Sequence, residues 1–179
     1  SMQNLARAAN MSAGNFYRYF PSKDAIIEAL VERDLAVLQS EFEALMRTTD
    51  PLSALRAALD DRIEDNDCDD GAIWSEIIAA ANRRADVGDM VGRVEAILIG
   101  YLVTIFGRIA GIGTGAARQR FQPHATLIFM LIQGIKMRRK RDAPAEFAQL
   151  RALARSTIDG LLADISSAAA PAAGADLMA

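Results

Sequence analysis

Apolar residues recur along most of the chain at steps of three and four, the spacing of one helical face, and the sequence therefore predicts an all-α fold. In the first nine residues Leu5, Ala6 and Ala9 form a compact apolar stripe, with Ser1 placed to cap the helix through its hydroxyl. Asn10 ends that helix. Asparagine tolerates a left-handed backbone, so Asn10-Met11-Ser12 can turn sharply while Met11 fills the angle between two helices. Ser12 then caps a second short helix in which Phe16 and Phe20, four apart, face inward and Ala13, Asn15, Tyr17, Arg18 and Tyr19 lie largely on other faces. Pro21 ends it and Ser22 caps the next. From Ser22 to about Arg47, Ile27, Val31, Leu35, Leu38, Phe42 and Leu45 mark one long amphipathic helix without internal Gly or Pro. Its first half packs on the short helices and its second half enters the next domain, so movement of one half must carry the other.

Thr48-Thr49-Asp50-Pro51 is the break, with Asp50 as N-cap and Pro51 at the first helical position of a helix carrying Leu52, Leu55, Leu59 and Ile63. Further helices are predicted over 72–84 and over 89–112. The second of these is apolar on several faces and softened by Gly100, Gly107 and Gly111, which permit close helix contact or a kink. Gly111 to Gln122 reads as a Gly-rich polar loop. Helices over 123–141 and 144–165 form the last pair, and the Ala-rich tail is expected to be flexible. The expected domains are 1–45, 46–167 and the tail 168–179.

Charge and chemistry sharpen this outline. The 179 residues are 51% hydrophobic with a net charge of −3, enough apolar material for a substantial core. The acid excess lies elsewhere than residues 1–23, which hold Arg7, Arg18 and Lys23 with no Asp or Glu. A patch this modest predicts that two copies act together, because counterion release grows with the number of phosphates neutralised. Single Cys68 excludes an internal disulfide and fits a reducing compartment. Ala96 to Phe106, the longest apolar stretch, is too short to cross a bilayer, so a cytoplasmic protein with no membrane partner is expected. Asp65, Asp67, Asp69 and Glu76 have a calcium loop's spacing, but Asp70 stands where that loop needs glycine, and a solvated interhelical loop is the better reading. His124 and Cys68 sit in no nucleophile, metal or phosphate-loop pattern, so neither an enzyme nor a cofactor is expected.

The run A-x-x-A-x-M-S-x-G-x-F-Y-x-Y-F-x-S-K over residues 6–23 resembles the DNA-binding signature of TetR/AcrR-type bacterial transcriptional regulators. The resemblance implies that Gln3, Ala13 and Asn15 meet major-groove base edges and that Tyr17, Tyr19, Lys23 and Ser1 meet phosphates. Ser12, Gly14 and Arg18 belong to the same surface, and Gly14 leaves the helix start open to an anion. Two departures stand out. Asn10 replaces the family's usual glycine, and the family has a further helix ahead of the position of Ser1, so the sequence is expected to begin inside a longer chain. The resemblance further implies a homodimer, a palindromic double-stranded operator and a small-molecule effector, most often with repression.

Candidate effector contacts are Trp74, Tyr101, Ile105, Phe106, Arg108 and Phe129, each of which could instead simply pack. For Trp74, the W-x-E-I run over 74–77, which contains Glu76 and is followed by an Ala-rich turn and Arg83, resembles the regulatory domain of some TetR-like proteins. Candidate dimer residues are Leu127, Met130, Gly134, Leu153, Ile158 and Leu161, on two apolar stripes too wide to bury on one side alone. The basic run Lys136 to Arg141 reads as a solvated helix end. The competing reading is a helical ligand-binding or scaffolding dimer that does not bind DNA.

Overall fold

A computed structural model of the chain describes residues 1–64, 70–138 and 143–169. Among them are eight helices and no strand: α1 Met2–Ala8, α2 Ala13–Tyr19, α3 Lys23–Arg47, α4 Pro51–Glu64, α5 Asp70–Ala81, α6 Ala85–Ala110, α7 Thr114–Arg138 and α8 Pro144–Ser167. The all-α expectation is met. Two compact units divide the chain, Ser1–Glu41 and Phe42–Ala179. The calcium-loop positions Asp65, Asp67 and Asp69, Cys68, the end of the basic run and the tail from 170 lie outside the described residues.

Helix starts follow the local chemistry. The Ser22 hydroxyl accepts from the Ala25 amide at 3.1 Å and the Asp50 carboxylate from the Ser53 amide at 3.0 Å, so α3 and α4 begin where the sequence places their caps. Hydrogen bonds from the Ser53 hydroxyl and amide hold the Asp50 carboxyl below its ordinary range. Longer segments depart from expectation. The helix expected over 72–84 is α5, already helical at Asp70 and over by Ala81, and the one expected from 89 is α6, which starts at Ala85. By length and composition alone α6, which extends beyond the 96–106 stretch at both ends, is long and apolar enough to cross a membrane. In this chain Val103, Ile105, Phe106, Gly107 and Ala110 of α6 are buried.

The loop expected over 111–122 is largely helical, and Pro123 lies inside α7 instead of at its start. Glycines at 111, 113 and 115 read as breakers, yet Ala117, Phe121, Ala125 and Ile128 form one inward stripe that is almost wholly buried. An internal proline costs about 3 kcal/mol. Burying Phe121 and Ile128 gains about 1.5–3 kcal/mol each, and the core overrides the local signal. Leu55, Leu59 and Ile63 of α4, Phe106 of α6 and Ile158, Leu162 and Ile165 of α8 complete that core.

At the turn between α6 and α7 the backbone must be bare. Gly111 has φ 67°, and the Ile112 amide reaches back to the Gly107 carbonyl at 2.9 Å. A Cβ on Gly107 would stand 3.0 Å from the Ile112 carbonyl oxygen and 3.1 Å from the Ala117 Cβ. Gly107→Ala is therefore expected to lower stability by about 1–3 kcal/mol. Gly100→Ala, where a Cβ meets open space, is expected to raise it by about 0.5–1 kcal/mol. Denaturant midpoints of the pair check both signs; equal shifts would remove the close approach as a determinant of this turn.

Ion pairs join α4 to α8. Arg155 reaches Asp60 at 2.7 Å and Glu64 at 2.6 Å, Arg151 reaches Glu64 at 2.6 Å, and Arg56 reaches Asp159 at 2.7 Å. The Arg155 hydrogen bond, with Arg151 nearby, holds the Glu64 carboxyl below its ordinary value of 4.5. A carboxyl with a lowered folded pKa stabilises the fold above its unfolded pKa and loses that contribution as pH falls through the folded one. Because Glu64 is 47% exposed, the expected loss below about pH 4.5 is under about 1 kcal/mol. Stability measured between about pH 6 and pH 3 is expected to be flatter in Glu64→Gln than in the parent. An identical slope would show that the pair contributes nothing to acid sensitivity.

Candidate nucleic-acid interface

The first unit presents a short helix on a capped, sharply turned base. The Ser1 hydroxyl accepts from the Asn4 amide at 3.3 Å and opens α1. At its end Asn10 takes φ 54°, the left-handed turn expected of it, and the Met11 amide closes on the Ala6 carbonyl at 2.9 Å. Ser12 then caps α2 through the Asn15 amide at 3.3 Å. Phe16 is buried and its ring lies 5.4 Å from that of Phe20, so this pair fixes the inward side of α2. Ala6 is the buried residue of α1; Leu5 and Ala9, expected beside it, are exposed, Leu5 at 41%.

Every residue assigned to the reading surface is exposed: Ser1, Gln3, Ser12, Ala13, Gly14, Asn15, Tyr17, Arg18, Tyr19 and Lys23. A Cβ added to Gly14 would meet nothing within 4 Å, which leaves the first turn of α2 open. Sequence reasoning missed one local arrangement. The Arg18 guanidinium sits 5.2 Å from the Tyr19 ring centre and one of its nitrogens donates to the Tyr19 hydroxyl at 3.4 Å, so cation and phenol act together. The adjacency Arg-Tyr is visible in the sequence, but not which way either side chain turns.

The family model described as "Bacterial regulatory proteins, tetR family" matches residues 1–30, the whole of α1, the turn and α2. Over this segment the chain is similar to the regulators of the TetR family. Over 62 residues it is 39% identical to the nucleoid occlusion factor SlmA of Glaesserella parasuis serovar 5 (strain SH0165), a stretch covering 35% of this chain and 31% of that protein. The chain thus spans about a third of the length of the curated relative it matches. No solved structure matches it.

The other candidates divide. Tyr101 is half-buried and stacked on Phe42, while Ile105 and Phe106 are buried in the apolar core. Arg108 is committed to the backbone carbonyls of Leu45, Met46 and Thr48. Trp74 and Phe129 are half-buried on α5 and α7, and Glu76 is exposed. Of the dimer candidates Leu127, Met130 and Leu153 are 40%, 60% and 66% exposed, Gly134 is exposed, and Leu161 is half-buried. Ile158 is a correction: at 3% exposure it packs inside its own chain, because its position on α8 faces α4 and the core rather than the open side.

Proposed function

We propose that the chain is a homodimeric DNA-binding transcriptional regulator, a repressor that a small molecule releases from a palindromic operator. The observation that carries the reading is the exposed, capped face of α2 inside the segment that the TetR family model matches. Two copies would set this helix into successive major grooves, with Gln3, Ala13 and Asn15 at base edges and Ser1, Tyr17, Tyr19 and Lys23 on phosphates. Exposed apolar residues on α7 and α8, Leu127, Met130 and Leu153, favour pairing of those helices between copies. The effector is a small, largely apolar molecule held among α4, α5 and α6, and it acts by binding one packing of these helices better than another.

Selection of bound sequences from a random duplex library tests the reading. Enrichment of a palindrome, weakened by salt, is the expected result, and screening small molecules for release of that duplex then tests the effector. A folded dimer that enriches nothing would replace this reading with that of a scaffolding or ligand-binding dimer.

A further inference from the structure

Helix α3 ends without a local device. No glycine follows Arg47, and the chain's own bond there, Thr48 amide to Leu45 carbonyl, is long at 3.4 Å. The end is instead held by a residue 60 positions away. Arg108, in the last turn of α6, donates through one terminal nitrogen to the carbonyl oxygens of Leu45, at 3.2 Å, and Met46, and through the other to that of Thr48. Carbonyls at a helix C-terminus lack intrahelical partners and carry partial negative charge. A planar guanidinium spreads its donors over two terminal nitrogens held in a fixed fork, whereas an ammonium presents all of its donors from a single nitrogen. Two turns earlier on the same stripe of α6, Tyr101 stacks on Phe42 with ring centres 4.3 Å apart and planes 9° from parallel. Phe42, Leu45 and Met46 are packed against the core, so side chains contribute to the attachment.

We infer that Arg108, with the Tyr101–Phe42 stack, is the catch that fixes the C-terminal end of α3, and that it is a positioning residue for the DNA-reading surface rather than an effector contact. The DNA part of this rests on the proposed function. Helix α3 runs unbroken from Lys23, which belongs to the reading surface, to Arg47, which the catch holds. With the catch open, the end of α3 samples more orientations, and DNA binding must order it again.

The test uses the full chain with two readouts, hydrogen exchange of the amides over 42–50 and affinity for the selected duplex. Arg108→Met keeps the apolar stem and loses the fork; it is expected to speed exchange at the end of α3 and to weaken duplex binding, each ~10-fold. Arg108→Lys is expected to fall between, and Tyr101→Ala to act in the same direction. If Arg108→Met misfolds, these two variants carry the test. Unchanged exchange over 42–50 overturns the catch. Faster exchange with unchanged duplex affinity overturns the positioning role. If the parent chain selects no duplex, the proposed function fails and the positioning role with it, while exchange alone decides whether Arg108 holds the helix end.

Discussion

Replacing Phe106 by alanine is expected to remove about 3–5 kcal/mol of stability. The side chain is 0% exposed, sits edge-on to Phe121 with ring centres 6.4 Å apart, and belongs to the core that α4, α6, α7 and α8 share. Truncation forfeits the transfer energy of the ring and leaves a void that close-packed neighbours fill only in part. A domain of ordinary stability has about 5–15 kcal/mol in hand, so the variant is expected to unfold at markedly lower denaturant concentration. A loss below about 1.5 kcal/mol would mean that the neighbours collapse readily and that Phe106 borders adaptable space.

Tyr17→Ala is expected to leave stability within about 0.5 kcal/mol and to weaken binding to the selected duplex by at least ~100-fold. Tyr17 is 45% exposed on α2, so the fold has little to lose. A hydroxyl donating to a phosphate oxygen contributes about 1.5–3 kcal/mol, and a symmetric dimer makes the contact twice. Salt titration separates the kinds of contact. Lys23→Ala is expected to reduce the slope of log affinity against log salt by about 1 per protomer, whereas Tyr17→Ala, which removes no charge, leaves the slope unchanged. Parent-like affinity in Tyr17→Ala would remove this residue from the interface.

The sequence made the first unit legible because its determinants are local. A hydroxyl before a helix, an asparagine at a left-handed turn and two phenylalanines four apart each act within one turn of chain, and Ser12, Asn10 and the Phe16–Phe20 pair stand as expected. Local signals misled where burial decided, as in Thr114 to Pro123, whose Gly115 and Pro123 are outweighed by the inward stripe from Ala117 to Ile128. The same limit put Ile158 on an open face, since two wide apolar stripes do not reveal which side meets the core. Arg108 was beyond reach for a different reason. Its partners are carbonyls around residue 46, and no side-chain pattern marks a backbone acceptor.

The unbroken length of α3 sets an angular tolerance. Twenty-five residues make a lever of about 37 Å. A tilt of about 5° at one end sweeps the other by about 3 Å, close to the ~3.4 Å rise of a single base pair. If the proposed function holds, substitutions at Phe42, Tyr101 or Arg108 are expected to change which half-site spacing is accepted, and substitutions on α2 to change which bases are chosen.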